Sequence, residues 1–340
     1  MIRVNKGTDS RILSVGGYQP ERVVPNSEII ERIDSTDEWI RQRTGIEERR
    51  FAAPDESVLD MAEAACRQAL ERANISMVDI DTVIVATITY PYQAPSAATA
   101  LIARLGNPKA AAFDINAACA GFCYGVGMAS DFIRSGSSKH VLVVGVEKLS
   151  DFTDPEDRAT AFIFADGAGA VVIGPSDHPA IGPTVWGSDA DSRDAIVMEP
   201  SWNEMRETKS FDRWPNISQQ GQTVFRWAVF SMSKAGLKAI EAAGITPSDL
   251  AAFIPHQANV RIIESMAREI GIPDTVAIAQ DIRTSGNTSA ASVPLAMSAL
   301  LKDRPELHGG LALLIGYGAG LVYAGQVVEL PPNPSSLAQK

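Results

Sequence analysis

The sequence predicts a two-part α/β protein in which largely parallel sheets are covered by helices. Apolar strand-like runs alternate with helix-like segments at short spacing, which favours parallel strands joined by helices. A strand, glycine turn and strand at Phe162–Val172 return at Leu314–Val322, about half a chain later. Such an internal repeat indicates a duplicated unit, with a seam near Pro175–Pro183. We therefore expect an N-terminal half at 1–178 and a C-terminal half at 179–340.

The composition is that of an ordinary soluble globular protein. Of 340 residues, 45% are hydrophobic and 21% are charged, and the net charge of −11 disfavours a nucleic-acid partner. No apolar run approaches the ~20 residues that span a bilayer, and no export signal opens the chain, so we expect a cytoplasmic protein without a membrane partner. The three cysteines, Cys66, Cys119 and Cys123, have neither disulfide nor metal-site spacing.

The elements of the first half follow from apolar periodicity and capping residues. Ser57-Val58-Leu59-Asp60 has the form of a capping box and opens a helix that reaches about Asn74. The apolar runs Thr82–Thr87 and His140–Val146 are typical of buried strands. The other predicted elements are a strand at Arg11–Tyr18, amphipathic pieces at Ser27–Ile33 and Thr36–Arg43, a helix at Ala97–Leu105, a strand at Ala110–Ile115 and a helix at Gly121–Ile133.

Between the seam and Val224 the periodic pattern is lost. The stretch Ser188–Gln220 is polar and irregular, although it contains Met198, Trp202, Met205 and Trp214. A structureless stretch of this length is usually a lid or mobile loop, and a surface excursion with its own aromatic cluster is the other interpretation. Periodicity then returns, predicting a helix at Val224–Ala243, a strand at Ala252–Pro255, a helix ending at Ile270 and a helix at Val293–Leu301.

Cys119 is the first candidate functional residue. It follows the strand that ends at Ile115 and precedes the helix that begins at Gly121, which places it near a strand-to-helix elbow. Unpaired N–H groups and the dipole at a helix start favour an anion, so we expect this thiol to ionise more readily than a free cysteine of pKa about 8.5. Taken alone, however, a cysteine here would more often be a small core residue.

Three further positions carry polar groups where a site could form. Of the four histidines, His256 alone follows an apolar strand and precedes a helix, at the strand end where α/β proteins gather active sites. Asn287 lies in a run of small polar residues before a helix, a pattern that helix capping would also explain. The turn Tyr317-Gly318-Ala319-Gly320 leaves backbone amides that could face a bound oxygen.

Together these motifs resemble the thiolase superfamily, and most closely the beta-ketoacyl-acyl-carrier-protein synthase III enzymes that start bacterial type II fatty acid synthesis. The resemblance runs from Ile12 to Val328. It implies a thiolase-like fold of two duplicated halves, each with a mixed five-stranded sheet, layered α-β-α-β-α, and a homodimer. The motifs are Asp37-Glu38-Trp39-Ile40, Arg43-Thr44-Gly45-Ile46, Ala118-Cys119-Ala120-Gly121-Phe122, Phe164-Ala165-Asp166-Gly167-Ala168-Gly169-Ala170, Pro255-His256-Gln257-Ala258-Asn259, Gly286-Asn287-Thr288-Ser289-Ala290 and Gly316-Tyr317-Gly318-Ala319-Gly320.

The resemblance implies a decarboxylative Claisen condensation. An acyl-CoA primer and malonyl-acyl-carrier-protein would give 3-oxoacyl-acyl-carrier-protein, CO2 and CoA. Cys119 matches the nucleophile, since sulfur attacks thioesters readily and keeps the acyl carbon electrophilic. His256 and Asn287 match the pair that stabilises the enolate, and the N–H groups of Cys119 and Ala319 match the oxyanion hole. CoA and carrier-protein phosphopantetheine thioesters are then substrates, and neither a permanently bound cofactor nor a metal is expected.

Residues matching the family's carrier-binding positions lie in two regions. Trp39 and Arg158 would sandwich the adenine of CoA, with Ser35 and Arg43 near its phosphates; an indole and a guanidinium both stack on a base. In the helix that ends at Ile270, Arg261 and Arg268 are seven apart, hence on one face, and match the docking surface for the acidic carrier protein. Glu269 departs from the pattern, which often has a second basic residue there.

The acyl pocket is expected to be formed by Ala94, Phe164 and Phe225. Many family members place a phenylalanine at the position of Ala94, just before Pro95–Ala98, and contribute it across the dimer to the partner's acyl pocket. A methyl group in place of a ring opens volume. The sequence therefore predicts primers longer or more branched than acetyl.

Other functions stay open at this point. A starter-unit ketosynthase or acyltransferase of a polyketide or secondary-metabolite pathway would use the same fold, and plant-type polyketide synthases share the Cys-His-Asn set. Thiolases use a second cysteine and elongating synthases two histidines, so the set here excludes both. A silent subunit that only binds carrier protein is disfavoured by an intact Cys119, His256 and Asn287.

Overall fold

The computed structural model describes residues 7–209 and 214–334. Within these ranges the strands are β1 (Asp9–Tyr18), β2 (Arg22–Pro25), β3 (Glu48–Phe51), β4 (Thr82–Ala86), β5 (Ala111–Ile115), β6 (Val141–Lys148), β7 (Asp166–Ser176), β8 (Val185–Ser188), β9 (Ile196–Glu199), β10 (Asn216–Gln219), β11 (Ala252–Pro255), β12 (Ala277–Ile278), β13 (Leu311–Gly318) and β14 (Val322–Glu329). The α-helices are α1 (Asn26–Ile29), α2 (Asp37–Thr44), α3 (Val58–Ala73), α4 (Ala97–Leu105), α5 (Gly121–Arg134), α6 (Trp202–Thr208), α7 (Gly221–Ala242), α8 (Val260–Ile270), α9 (Ile282–Ser285) and α10 (Ser292–Asp303).

Two mixed five-stranded sheets of the same topology form the frame of the molecule. The first has the order β1-β7-β6-β4-β5 and the second the order β12-β11-β13-β14-β8. In the first, β4 is parallel to β5 and β6, and β7 is antiparallel to β6 and β1. In the second, β11 is parallel to β12 and β13, and β14 is antiparallel to β13 and β8. The predicted duplicated sheets are confirmed, while the boundary between 178 and 179 stays a prediction.

The sheets and helices stack in five alternating layers. Apolar residues of α5 and α10 pack between the two sheets, in one core that takes side chains from both. Helices α3 and α4 cover the outer face of the first sheet, and α7 and α8 cover the outer face of the second. Each fully buried aliphatic side chain in these cores contributes roughly 1.5–3 kcal/mol. The order of layers therefore confirms the predicted fold class.

Helix α3 shows how local sequence sets an element. Ser57 caps its first turn and accepts the N–H of Asp60, whose carboxylate in turn accepts the N–H of Ser57. The helix ends at Asn74, which takes a left-handed conformation with φ 52°. Both ends lie where the capping signals predict them. None of the described helices combines the length and apolar composition that a bilayer crossing requires.

The prediction of an irregular stretch at Ser188–Gln220 is wrong. The described part contains β9 and β10, which pair antiparallel, and the short helix α6, which a Ser201–Glu204 capping box opens. The periodicity signal is weak because these strands are four residues long and mostly half-buried. The aromatic cluster exists: the rings of Trp202 and Trp214 lie 5.4 Å apart. Residues 210–213 lie outside the described ranges.

Candidate active site

Cys119 lies in a tight turn between strand and helix. The chain leaves β5, passes through a 3₁₀ turn at Ala118–Ala120 and enters α5 at Gly121. Ala118 has φ 43°, a left-handed conformation that a residue with a side chain rarely adopts. Gly121 packs so closely on β4 that an added Cβ would lie 2.7 Å from the Cβ of Ala86. The turn is therefore pressed against the sheet, and it presents Cys119 above the strand ends.

The expected easy ionisation of Cys119 is wrong. Burial raises the pKa of its thiol to about 12, and the negative charge of Glu147 acts in the same direction. The neighbouring Ser289 side chain lowers the pKa of Cys119, but this effect is smaller than that of burial. Cys119 is only partly exposed, within a cavity, and the helix starts two residues later. Desolvation therefore dominates, and the resting sulfur is a thiol.

His256 is a neutral, buried imidazole. It follows β11 directly and is 2% exposed. Its Nδ1 lies 2.6 Å from Oγ of Ser292, and that oxygen also accepts the N–H of Gln257 at 3.3 Å. The ring packs edge-on against Tyr317, with centroids 5.1 Å apart. Burial lowers the pKa of His256 to about 3, so the ring carries no charge near neutral pH.

Asn287 is held by the first half of the chain. Its N–H donates to the carbonyl of Ile163 and its own carbonyl accepts from Ala165, both at 2.9 Å. Its Oδ1 accepts the N–H of Ser289 at 2.8 Å, which leaves the NH2 group as the available end of the carboxamide. Gly286 has φ 68°, and a Cβ there would lie 2.8 Å from side chains on either side. Glycine is required at that position.

The glycine-rich end of β13 passes directly over Cys119. An added Cβ at Gly318 would lie 2.7 Å from the backbone nitrogen of Cys119 and 3.0 Å from its Sγ. At Gly316 it would lie 2.9 Å from Cα of Ala120. Only glycine permits this approach. The predicted turn therefore borders the sulfur, and Ala319, which follows Gly318, lines the same cavity.

One cavity of about 640 Å³ brings the predicted site residues together. Cys119, His256, Asn287 and Ala319 all line it, although they come from four different elements. Phe164 lines it as well. The rest of the wall is mainly apolar and includes Ile88, Leu149, Ile196, Met198, Ile217, Val224 and Trp227. Strands β9 and β10, which the sequence did not predict, supply part of this wall.

A second cavity of about 490 Å³ opens to the outside. Trp39, Arg43, Phe225 and Arg261 line it. Two guanidinium groups lie over aromatic rings here, Arg43 at 5.7 Å from Trp39 and Arg261 at 5.5 Å from Phe225. The two cavities meet, because both are lined by Asn287, Gln219, Val224 and Ala258. The outer opening thus leads to the cavity of Cys119, and Phe225 belongs to the entrance rather than the inner wall.

Four predicted binding residues lie outside the linings of both cavities. Arg158 is 62% exposed, 3.6 Å from the carboxylate of Asp34. The buried Ser35 hydroxyl has no partner among the described residues. Arg268 is exposed on α8, and Ala94 is exposed in the loop before α4.

Sequence reasoning missed two residues beside the sulfur, Glu147 and Ser289. Glu147 is fully buried at the end of β6, and the Ser289 hydroxyl donates to it at 3.3 Å. The sequence could have indicated Glu147, because it is a carboxylate at the end of an otherwise apolar strand. No group of three or more His, Cys, Asp or Glu side chains in 7–209 and 214–334 is placed to hold a metal ion.

The fold and the site together define a class, the thiolase-fold acyltransferases of the condensing-enzyme type. Residues 113–190 match the family model of 3-oxoacyl-[acyl-carrier-protein] synthase III, and residues 240–330 match the model of its C-terminal part. Beta-ketoacyl-[acyl-carrier-protein] synthase III 1 of Streptomyces coelicolor is 54% identical over 97% of this chain and 99% of its own length. The Mycobacterium avium mycobacterial beta-ketoacyl-[acyl-carrier-protein] synthase III is 50% identical over 96% and 97%.

Solved structures of similar fold support the same family assignment. A priming beta-ketosynthase from a polyketide biosynthetic pathway superposes with a TM-score of 0.96 at 46% identity, over 98% of this chain and 99% of the other. The 3-oxoacyl-[acyl-carrier-protein] synthase III of Aquifex aeolicus gives a TM-score of 0.86 at 37% identity, over 94% and 99%. The chain belongs to the beta-ketoacyl-[acyl-carrier-protein] synthase III family.

Proposed function

We propose that this chain condenses an acyl-CoA primer with malonyl-acyl-carrier-protein, and so starts type II fatty acid synthesis. The observation that carries the proposal is the meeting of Cys119, His256 and Asn287 at the inner end of one tunnel. A thiol, a neutral imidazole and a carboxamide are what acyl transfer followed by decarboxylation requires. The same convergence argues against a silent carrier-binding subunit, which needs no such set.

In the first half-reaction the sulfur of Cys119 attacks the primer's thioester carbonyl. The N–H groups of Cys119 and Ala319 donate to the oxygen as it becomes negative. The bond to the CoA sulfur then breaks, and the acyl group stays on Cys119 as a thioester. The close passage of Gly318 supports this assignment, because it brings the amide of the next residue to the edge of the same cavity.

In the second half-reaction the malonyl thioester loses CO2, and its carbonyl becomes an enolate. The Ser292 oxygen accepts the Gln257 N–H, so its own proton is free to go to Nδ1 of His256, which leaves Nε2–H as a donor. Asn287 offers its NH2 group in the same way. The enolate carbon attacks the acyl group, a C–C bond forms, and the bond to Cys119 breaks.

The outer cavity is the proposed path for the pantetheine arm. Trp39 and Arg43 offer a stacking surface and a cation for CoA, and the family pattern adds Ser35 and Arg158, which lie outside the cavity lining. For the acidic carrier protein, Arg261 at the entrance and Arg268 beyond it provide positive charge on the exposed face of α8. We retain a cytoplasmic location as a prediction.

A homodimer and a broad primer range remain parts of the proposal. Strand β5 lies at the edge of its sheet, where an unpaired edge favours pairing with a second copy. Asp114 of β5 accepts the N–H groups of Ala97 and Ala98, which ties the loop carrying Ala94 to that edge. Ala94 would then reach the partner's acyl pocket. The cavity of about 640 Å³ agrees with primers longer than acetyl.

A second candidate function is the priming of a polyketide pathway. The likeness to a priming beta-ketosynthase at a TM-score of 0.96 favours it, and the chemistry at Cys119 would be the same. The two functions differ in the primer and in the carrier protein that accepts the product. Comparing rates with fatty-acid and polyketide carrier proteins would separate them.

Acyl transfer is tested by intact-protein mass spectrometry after exposure to acetyl-, isobutyryl- and longer acyl-CoAs, with Cys119→Ala as control. We expect a mass increase of one acyl group in the native protein, and none in the control. Malonyl-acyl-carrier-protein added next should remove the label and yield 3-oxoacyl product. An unlabelled native protein, or label that persists in Cys119→Ala, would contradict the proposal.

A further inference from the structure

Glu147 is a buried carboxylate that the two half-reactions leave without a role. It is fully buried at the end of β6. Four donors converge on it: the N–H of Ile88 at 3.1 Å, and the hydroxyls of Thr89 at 2.7 Å, Thr87 at 3.2 Å and Ser289 at 3.3 Å. A desolvated carboxylate is costly to maintain in a structure. Its place beside the nucleophile therefore calls for a function.

Ser289 links this carboxylate to the sulfur. Its hydroxyl donates to Glu147, the 3₁₀ turn that it opens contacts the turn of Cys119, and both residues line the same cavity. The residue is 1% exposed and has φ 49°, a strained conformation for a side chain other than glycine. Its N–H is fixed by Asn287 at 2.8 Å. The strained backbone thus holds the hydroxyl on Glu147 in a turn that contacts the turn of Cys119.

We propose that Glu147 accepts, through the Ser289 hydroxyl, the proton that Cys119 loses as it attacks the acyl-CoA. The inference rests on the proposed role of Cys119 as nucleophile. The thiol proton passes to the Ser289 oxygen while the Ser289 proton passes to Glu147, and the sulfur becomes a thiolate to which Ser289 now donates. When the CoA sulfur leaves with its electron pair, Glu147 returns the proton to it by the same path. Atoms and charge balance at each step.

Such a transfer leaves the net charge of the buried site unchanged. Burial raises the pKa of Cys119 to about 12 and that of Glu147 to about 7. Ionising the thiol by loss of its proton to water would place two negative charges side by side in a buried site. Passing the proton to Glu147 keeps a single charge there. His256 cannot be an effective acceptor, because burial lowers its pKa to about 3.

Other ionisable groups around Glu147 are engaged elsewhere or neutral. The amine of Lys148, its chain neighbour, donates to the carbonyls of Ala53 and Glu56 and lies 3.8 Å from Asp151. On β7, Asp166 accepts from Ser150 and Ala52. Burial raises the pKa of Tyr317, which lines the cavity, and of Cys123 on α5, so both stay protonated.

The test is the rate of Cys119 alkylation by iodoacetamide as a function of pH, with the modified peptide identified by mass spectrometry. In the native protein we expect reactivity to rise near pH 7, where Glu147 becomes able to accept a proton. In Glu147→Gln that rise should vanish, and alkylation at neutral pH should slow by about 100-fold, an ordinary contribution of a general base. Ser289→Ala should give the same loss, and the double variant should add little to it.

A purely electrostatic role for Glu147 makes the opposite prediction. Removal of its charge would lower the thiol pKa, so Glu147→Gln would alkylate faster than the native protein, and this result would overturn the inference. Asp166→Asn removes another fully buried carboxylate away from the sulfur and should leave the profile unchanged. Thermal unfolding of each variant verifies folding, and Ser289→Ala carries the test if Glu147→Gln does not fold.

Acylation by acyl-CoA separates this inference from the proposed function. A native protein that accepts no acyl group refutes the nucleophile itself. A native protein that is acylated, together with Glu147→Gln and Ser289→Ala variants acylated at the native rate, refutes only the proton path.

Discussion

The passage of Gly318 over Cys119 constrains the site tightly, and Gly318→Ala tests it. The new Cβ would lie 2.7 Å from the Cys119 nitrogen, 2.8 Å from its Cβ and 3.0 Å from its Sγ. To reach an ordinary 3.4 Å contact with the nitrogen, the two backbones must separate by about 0.7 Å. Both proposed oxyanion donors lie on these backbones.

The expected loss of acylation rate follows from that displacement. A misplacement of about 1 Å costs on the order of 100-fold in rate, so we expect acylation of Cys119 to slow by about that factor. Overpacking should also lower stability by about 1–3 kcal/mol. Stopped reactions analysed by mass spectrometry give the acylation rate, and urea unfolding gives the stability.

Gly174→Ala is the matched control. Its Cβ would lie 2.5 Å from Leu13 and 2.9 Å from His140, so it overpacks side chains far from the cavity. It should lose stability yet acylate at the native rate. If Gly318→Ala acylated as fast as Gly174→Ala, the oxyanion hole would not lie between β13 and the Cys119 turn, and the reasoning would fail.

Four further predictions concern the later steps and the substrates. Asn287→Ala should slow malonyl decarboxylation, followed as CO2 release, by about 100-fold or more while acylation persists; loss of acylation instead would contradict its assignment. Because the pKa of His256 is lowered to about 3, its ring stays neutral from roughly pH 8 to pH 6, where an ordinary histidine gains a proton. The rate of decarboxylation should therefore not decline over this range. A decline that follows a pKa near 6.5 would refute a neutral imidazole. Trp39→Ala should raise KM for acyl-CoA about 10-fold with kcat little changed, as loss of one stacking partner predicts; an unchanged KM would place CoA elsewhere. In steady-state assays, Ala94→Phe should remain active with acetyl-CoA but lose activity with longer primers. Activity with all primers would refute the place of Ala94 in the acyl pocket.

Much of the fold could be predicted because its signals are local. The capping box at Ser57 and the β-branched run from Thr82 act through neighbouring residues, and both elements form where they were expected. The repeated glycine-rich ending predicted the duplication. The hairpin of β9 and β10 was missed because each strand has only four residues, too few to show a period.

The electrostatics of the site could not be predicted from neighbouring residues. The helix that follows Cys119 suggested an acidic thiol, but burial comes from β13 and the Ser289 turn, which are distant in sequence. The role that we propose for Glu147 likewise depends on its contact with Ser289, which lies 142 positions further along the chain. The residue types alone identified the candidate site residues. Their charge states depend on tertiary packing, which the sequence pattern does not show.

The duplication also explains why the site forms between the halves. Each central helix begins with a 3₁₀ turn that a left-handed residue opens, Ala118 before α5 and Ser289 before α10. Each turn is crossed by a glycine of a sheet strand: an added Cβ at Gly316 would meet Ala120, and one at Gly145 would meet Ala290. The two turns are thus copies of one elbow.

The copies have diverged in what they carry. The first elbow presents Cys119, while the second has Ala290 after its left-handed residue and no thiol. The second instead fixes Asn287 and places Ser289, whose hydroxyl donates to Glu147, against the first elbow. Because the two elbows contact each other, the donor and the proton path that we propose on one copy lie beside the proposed nucleophile on the other. Duplication of one strand-to-helix elbow therefore accounts for both sides of the proposed active site.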